Sequence, residues 1–451
     1  MSYFGTDGIR GRAGEGKLSD DNLARMGRAL GAFVGSGGRV VIGRDTRESG
    51  PAICAILDAE LDRAGVERWH LGVVPTPATA LLTQLREADL GIMITASHNP
   101  WHDNGVKLFS PSGRKLTDAM QAELDRLITR DLPPKTGTGR RVDDVEALDI
   151  YKGQIIDSVG RKDLSKLTLV VDGANGAGHR CLADILEGLG AKVTRLDVDP
   201  DGRNINAGVG STAPAACRAA VLEHGADAGF ALDGDADRIL VVDAKGVVAD
   251  GDQIVARLAL DARAAGTFKG DAIVSTVMAN LGLELWAASE GLTLHRTKVG
   301  DRHVAARMAQ IGANIGGEPS GHILLTDVST TGDGTLTAVM LAAALSETNG
   351  AVDDFFTVFE PVPQLLRNAR YDGDAPLSRP DVKAVIAQQE AALAGCGRVL
   401  VRASGTEPVI RVMAEGTNPS IVAQAVDKIV LAIETPAETG QSSLCTTGPR
   451  G

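Results

Sequence analysis

The sequence predicts an α/β protein: three tandem α/β domains, each a mixed sheet built on βαβ units, followed by a smaller C-terminal α+β domain. Three observations carry this prediction. A strand–helix–strand pattern recurs three times, the pattern changes after Glu360-Pro361-Val362-Pro363, and 451 residues are too many for one ordinary hydrophobic core.

In the first repeat Arg39 to Gly43 is a β-branched run, Pro51 to Ala64 carries apolar residues at helical spacing, and Glu67 to Val74 is apolar again. Leu167 to Val171, Ala177 to Leu189 and Lys192 to Leu196 repeat the pattern, and so do Asp271 to Thr276, Ala279 to Ser289 and Leu292 to Arg296. Strands alternating with helices of this length imply parallel strands joined by right-handed crossovers, with ligands beyond the carboxyl ends of the strands. The last part reads differently: a helix over Asp381 to Ala394, strands at Arg398 to Val401 and Val409 to Met413, and a helix over Ser420 to Ile433. Domains are expected at 1–148, 149–250, 251–365 and 366–435, with a loose, aperiodic tail over 436–451.

Composition removes several classes of function. The 43% apolar content suffices for these cores, and with 3% aromatic residues they are mainly aliphatic. Few aromatics argue against base stacking, and a net charge of -12 argues against a nucleic-acid or anionic-membrane surface. Met1 to Asp7 contains no basic segment leading into an apolar one, and no apolar run nears the ~18 residues that span a bilayer, so a cytoplasmic location is expected. Cys54, Cys181, Cys217, Cys396 and Cys445 are odd in number and form no C-x-x-C pair, unlike a disulfide scaffold or a zinc knuckle.

Ser97 follows the apolar stretch Leu90 to Ile94 in Thr95-Ala96-Ser97-His98-Asn99-Pro100, so its hydroxyl is expected at a strand end, on a turn within a ligand's reach. Asp233, Asp235 and Asp237 alternate with small residues; in an extended loop all three carboxylates face one side and repel unless a cation lies between them. Oxygen-only ligands suit Mg²⁺. The alternatives for this string are a polar turn between two strands, or a nucleophile loop in which Asp233 itself carries a phosphoryl group. Arg402 to Pro408 joins two strands and offers the Ser404 and Thr406 hydroxyls, a permissive Gly405 and the guanidinium of Arg402, with Arg411 beyond, a set suited to phosphate. Glu318, Ser320 and His322 alternate too, a mixture suited to sugar hydroxyls. Lys107 after Asn104-Gly105-Val106, and Arg10 in Gly8-Ile9-Arg10-Gly11, are cations flanked by glycines that allow close approach to an anion. Gly173 to Gly178 has the wrong glycine order for a dinucleotide fingerprint and reads as a tight entry to a helix, and Pro100 makes a helical metal pair of His98 and His102 a weak reading.

In order and spacing, these strings resemble the α-D-phosphohexomutase superfamily from Phe4-Gly5-Thr6-Asp7-Gly8-Ile9-Arg10-Gly11 to about Glu415. The resemblance implies four domains around a central cleft, each contributing one loop. It implies that Ser97 is a phosphoserine, that Asp233, Asp235 and Asp237 with the Ser97 phosphate hold one Mg²⁺, and that Glu318 and Ser320 grip sugar hydroxyls. Arg402, Ser404, Gly405, Thr406 and Arg411 would take the distal phosphate, and Arg238 would stabilise the transferring group. Lys107 and His322 are candidates for proton transfer, with Arg10 near the phosphoserine. The N-terminal string, Gly316-Gly317-Glu318 and Thr297-Lys298-Val299-Gly300-Asp301-Arg302 are most similar to the branch acting on glucosamine phosphates, which adds Lys298, Gly300 and Asp301 to the sugar-binding set. Pro319, His303 and Ala213 depart from that branch, where glutamine, tyrosine and histidine are usual. The implied activity interconverts glucosamine 6-phosphate and glucosamine 1-phosphate through a 1,6-bisphosphate, which doubles as activator, and so supplies UDP-N-acetylglucosamine and cell-wall precursors. A glucose- or mannose-phosphate mutase of the same superfamily, an Asp233-dependent phosphatase or mutase, and a silent phosphosugar-binding protein are the alternatives. Oligomeric state is left open, a homodimer included.

Overall fold

Runs such as Leu90–Ile94 and Ala228–Leu232 are buried along their whole length, as strands covered by helices on both faces require. The computed structural model describes residues 3, 5, 8–348, 354–371, 376–403 and 409–435. They fall into two compact units, one drawn from Met1–Ala279 and Leu283–Phe359, the other from Asn280–Gly282 and Glu360–Gly451.

The first unit holds three sheets. In the first, β1 (Ile9–Arg12), β2 (Arg39–Arg44), β3 (Glu67–Val73), β4 (Leu90–Ile94), β5 (Asp103–Phe109) and β6 (Arg141–Asp143) lie in the order β1-β5-β4-β2-β3-β6. The strands β4, β2, β3 and β6 are parallel, and β5 returns antiparallel to β4, which carries Lys107 back beside the Ser97 turn. The second sheet contains β7 (Thr168–Asp172), β8 (Lys192–Leu196), β9 (Ala228–Leu232), β10 (Ile239–Asp243) and β11 (Val248–Ala249) in the order β11-β10-β9-β7-β8. Its β9 and β10 are antiparallel neighbours, so the acidic string is the hairpin loop between them. The third contains β12 (Ala272–Thr276), β13 (Thr293–Thr297), β14 (Ile315–Gly317) and β15 (Ile323–Leu325) in the order β13-β12-β14-β15. One apolar core runs through all three, joining Val41 and Leu82 to Leu182 and Phe230 and on to Ile254, Leu283 and Phe356. Tyr151, buried in that core, satisfies its hydroxyl by donating to Asp333 at 2.8 Å.

The second unit is the α+β element expected at the C-terminus. Antiparallel β16 (Gln364–Arg370), β17 (Gly397–Ala403) and β18 (Val409–Gly416), in the order β16-β18-β17, pack with helices Pro380–Leu393 and Pro419–Glu434 on a core that includes Val412, Val426 and Ile429. Among the described residues no helix is long and apolar enough to cross a membrane.

Two expected elements differ. The helix read over Ala177 to Leu189 begins only at Cys181, because Ala174 and Asn175 are in the left-handed region and the preceding chain forms turns. Glu318 to Gly321 is a tight turn, closed by Gly321 N–H donating to the Glu318 carbonyl at 2.9 Å. It is not an extended run with alternating side chains, since Pro319 cannot donate to a ladder and Gly321 takes a φ of 85°.

Candidate active site

Ser97 sits where β4 ends, but its hydroxyl is not held out towards solvent as the sequence suggests: the residue is wholly buried. Its φ of 52° turns the side chain inward, where Oγ donates to Asp233 Oδ2 at 2.6 Å. Two side chains that carry no motif hold it so. Arg47, paired with Asp45 at 2.9 Å and wholly buried, donates to the carbonyls of Ser97 at 2.9 Å, Asn99 at 2.8 Å and Asp103 at 2.9 Å, and also to that of Pro100. Asn206, from the second sheet's loops, donates to the Ser97 and Asn99 carbonyls at 2.9 and 3.1 Å. Thr95 Oγ1 donates to Asp45 at 2.7 Å and accepts the Ser97 N–H at 2.9 Å, which closes the clamp.

The carboxylates of Asp233, Asp235 and Asp237 converge, with ligand oxygens all within 4.8 Å of one another and all three residues buried. Convergence comes from a turn and not from an extended run: Ala236 takes a φ of 58°, and its N–H reaches the Asp233 carbonyl at 3.0 Å. The glycine string read as a mere helix entry shapes this turn. Ala177 N–H donates to the Gly234 carbonyl at 2.8 Å, and a Cβ on Gly176 would lie 2.3 Å from that same oxygen. Gly234 in turn is pressed so close that a Cβ there would lie 2.6 Å from the Ser97 carbonyl. Of the nine non-glycine residues with positive φ among the described residues, Ser97, Ala174, Asn175, Asn206 and Ala236 are gathered here, the usual signature of a functional site holding its backbone under strain.

A row of alternating charges crosses the unit from this turn. Lys107 bridges Asp235 at 2.6 Å and Asp237 at 2.7 Å; His322 lies between Asp237 at 3.5 Å and Asp301 at 3.2 Å; Lys115 closes on Asp301 at 2.7 Å. Burial alone would discharge the His322 ring, but Asp237 and Asp301 hold it up at about 10, as imidazolium. Burial likewise opposes the charge of Asp237, yet Lys107 and His322 keep it well below the usual carboxylate range. Asp233 goes the other way: burial, then Asp235 and Asp237, push it up to about 8. Asp235 Oδ1 is buried and, among the described residues, accepts no hydrogen bond, and Asp237 Oδ1 has only the longer ion-pair contacts with His322 Nδ1 at 3.5 Å and Arg238 Nε at 3.8 Å. An all-oxygen set with lone pairs unspent and one carboxyl resisting ionisation fits a hard divalent cation such as Mg²⁺. Arg238 completes the turn, its N–H donating to Asp233 Oδ1 at 3.1 Å. Arg10 stands opposite Gly105 where β1 pairs with β5. Burial, Arg238 and Arg10 together push His98, next to Ser97, down to about 4.

The remaining candidates divide. Glu318 is buried and accepts the Gly300 N–H at 3.0 Å, which ties the sugar string to the Gly300–Asp301 turn, whereas Ser320 and Lys298 are exposed. In the second unit, Arg402 on β17 and Arg411 on β18 are paired neighbours. Burial and the Arg411 charge lower the Arg402 pKa, and like charges directly opposite destabilise a strand pair unless an anion lies between them. Ser404, Gly405 and Thr406 lie outside the described residues, as do Phe4, Thr6, Asp7 and the tail 436–451. The sequence reading did not single out Arg47, Asp45, Asn206 or Lys115, nor Thr76, whose hydroxyl donates to Asp235 at 2.5 Å. Each makes a contact across 50 or more residues of chain, so no local spacing marks them.

Comparison with known proteins covers nearly the whole chain. The sequence pattern of phosphoglucomutase/phosphomannomutase alpha/beta/alpha domain I matches residues 1–134, that of domain II residues 149–246, that of domain III residues 250–361, and that of the C-terminal domain residues 365–432. The phosphoglucosamine mutase of Paracoccus denitrificans is 49% identical, over 96% of this chain and 99% of its own, and that of Azorhizobium caulinodans is 48% identical over 96% and 98%. A crystal structure of a phosphoglucomutase/phosphomannomutase family protein from Burkholderia thailandensis superposes with a TM-score of 0.80 at 26% identity, covering 96% of this chain and 98% of that one. The N-acetylphosphoglucosamine mutase of Aspergillus fumigatus, solved with GlcNAc-6P and magnesium, shares the fold at a TM-score of 0.66 and 19% identity, over 96% and 95%. The chain belongs to the phosphoglucomutase/phosphomannomutase family of enzymes, and within it groups with the phosphoglucosamine mutases.

Proposed function

We propose that the protein interconverts glucosamine 6-phosphate and glucosamine 1-phosphate, with Ser97 carrying the phosphoryl group between the two positions through a 1,6-bisphosphate. The observation that carries this reading is the 2.6 Å contact between Ser97 Oγ and Asp233 Oδ2, inside a buried triad of carboxylates. A hydroxyl in that position becomes, once phosphorylated, a dianionic ester against three carboxylates. Asp233, Asp235 and Asp237 would hold Mg²⁺ there, and the cation would supply the positive charge that such a cluster requires.

The chain's own residues support the rest. Lys107, fixed by Asp235 and Asp237, places an ammonium in the acidic cluster. His322, held as imidazolium, is a proton donor to a leaving sugar oxygen in one direction and takes the proton back in the other. Arg238 and Arg10 lie near enough to act on His98, and so flank the Ser97 turn with positive charge. Glu318 with the Gly300 turn, and Ser320 and Lys298 from solvent-facing positions, would bind the sugar. Arg402 and Arg411, with Ser404, Gly405 and Thr406, would bind the phosphate that is not reacting.

The test is turnover of glucosamine 6-phosphate by the purified protein with Mg²⁺ and a trace of hexose bisphosphate, beside glucose and mannose phosphates. Preferred turnover of the amino sugar is expected. Preference for another hexose would retain the chemistry and overturn the substrate, and no turnover of any would leave a binding protein.

A further inference from the structure

Thr76 opens the helix Thr76–Leu85 just beyond the end of β3, between Pro75 and Pro77, and is buried. The prolines on either side restrict the backbone of this turn, and Pro77 costs the first turn of a helix no hydrogen bond. The other two threonines of the helix satisfy their hydroxyls close by, Thr79 on Met93 Sδ at 3.4 Å and Thr83 on the Thr79 carbonyl at 2.8 Å. Thr76 does not. Its hydroxyl donates across to the second sheet's acidic turn, to Asp235 Oδ2 at 2.5 Å. Its N–H, one of the donors that a helix start leaves without an intrahelical partner, donates to the Asp235 carbonyl at 2.9 Å. Both donors of Thr76 are thus spent on one carboxylate residue 159 positions further along the chain. The two oxygens of that carboxylate become unequal as a result. Oδ2 also accepts from Lys107 Nζ at 2.6 Å, so with Thr76 both its lone pairs are filled. Oδ1 is buried and, among the described residues, accepts no hydrogen bond.

We infer that Thr76 is a positioning residue for the cation: by filling Oδ2 it confines Asp235 to one free oxygen, and so selects Mg²⁺ over Ca²⁺. Mg²⁺ is small and demands near-octahedral geometry, which one oxygen from each carboxylate suits, whereas Ca²⁺ is larger, takes more oxygen ligands and often takes both from one carboxylate. Lys107 alone would not impose this limit. Its ammonium also bonds Asp237 at 2.7 Å and can remain there while Oδ2 turns to a larger ion. The Thr76 hydroxyl cannot drift in the same way, because it is carried on a helix start whose backbone is tied to Asp235 itself. A carboxylate held by donors of this kind is restricted in orientation before any ion arrives, and loss of such donors lowers metal affinity. The inference rests on the reading of Asp233, Asp235 and Asp237 as the cation site.

The experiment is calorimetric titration of the chelator-treated protein with Mg²⁺ and, separately, with Ca²⁺, in wild type, Thr76→Val, Thr76→Ala, Thr76→Ser and Asp235→Asn, with circular dichroism reporting the fold of each. Thr76→Val keeps the shape of the side chain and removes its donor. It is expected to weaken Mg²⁺ about tenfold while Ca²⁺ binding holds or tightens, so that the ratio of the two affinities falls. Thr76→Ala, which removes the donor without placing a new methyl against the carboxylate, is expected to lower the ratio as well. Thr76→Ser retains the hydroxyl and is expected to retain the wild-type ratio. A structural role alone would weaken both cations alike, so a ratio unchanged in Thr76→Val and Thr76→Ala, whether both affinities fall or neither moves, would overturn the inference. Absence of Mg²⁺ binding in wild type, or wild-type Mg²⁺ affinity in Asp235→Asn, would instead overturn the reading of the triad, and the inference with it.

Discussion

At the scale of single residues, the site is held together by groups whose loss leaves a buried charge or dipole exposed to nothing. Arg47 is the clearest: it neutralises buried Asp45 and satisfies four carbonyls of the Ser97 turn. Arg47→Met should cost about 3–5 kcal/mol, because an uncompensated buried carboxylate remains; chemical denaturation measures it, and a change below 1 kcal/mol would show that the turn stands without its clamp. Asn206 makes a smaller set of bonds to the same carbonyls. Asn206→Ala should lower kcat by roughly tenfold at nearly unchanged stability, since it loosens the position of Ser97 without removing a charge. Neither residue was legible in the sequence. Ser97 and the three aspartates were, because their chemistry lies in spacing over a few residues. Arg47, Asn206, Thr76 and Lys115 act through contacts made only when distant loops meet, and a lone arginine or asparagine in a sequence is indistinguishable from a solvated one.

At the scale of elements, the three βαβ repeats and the C-terminal antiparallel sheet were legible from alternating apolar runs. What the sequence did not disclose is how loops shape one another. The Gly173 to Gly178 string looks like an ordinary helix entry, yet it is the surface on which the acidic turn is moulded. Gly176→Ala would place a Cβ 2.3 Å from the Gly234 carbonyl, so the Mg²⁺ concentration needed for half-maximal turnover should rise while secondary structure by circular dichroism stays intact; an unchanged requirement would mean the two loops are independent. Asp172 at the end of β7 anchors the same region through the Ala174 and Gly210 N–H groups at 2.9 and 2.8 Å. Burial pushes its carboxyl from 3.8 up to about 6. A raised folded pKa means that the folded state binds the proton more tightly than the unfolded chain. The stability it contributes is therefore present below about pH 4 and lost as pH rises through about 6, by about 2–3 kcal/mol. Denaturation of wild type and Asp172→Asn side by side across that range should show the wild-type advantage shrinking as pH rises. A constant difference would place the carboxyl at its ordinary pKa.

At the scale of the whole molecule, the charges explain how an acidic protein handles an anionic sugar. With a net charge of -12 it cannot attract a phosphosugar by overall field, and its cations are instead concentrated: Lys107, His322 and Lys115 interleaved with aspartates, and Arg402 beside Arg411. Removal of divalent cations with a chelator should abolish turnover, and Mg²⁺ should restore it, with the unfolding transition still cooperative throughout. Persistence of turnover in chelator would deny the triad its role.

In the proposed cycle Ser97 carries the phosphoryl group. The most direct measurement is peptide mass spectrometry of phosphate-free protein after brief exposure to glucosamine 1,6-bisphosphate and Mg²⁺, with turnover of Ser97→Ala measured alongside. A stable phosphoryl group on Ser97 and no turnover in the variant are expected. A hydroxylamine-labile phosphoryl group on Asp233, or a Ser97→Ala protein that still turns over, would contradict that role.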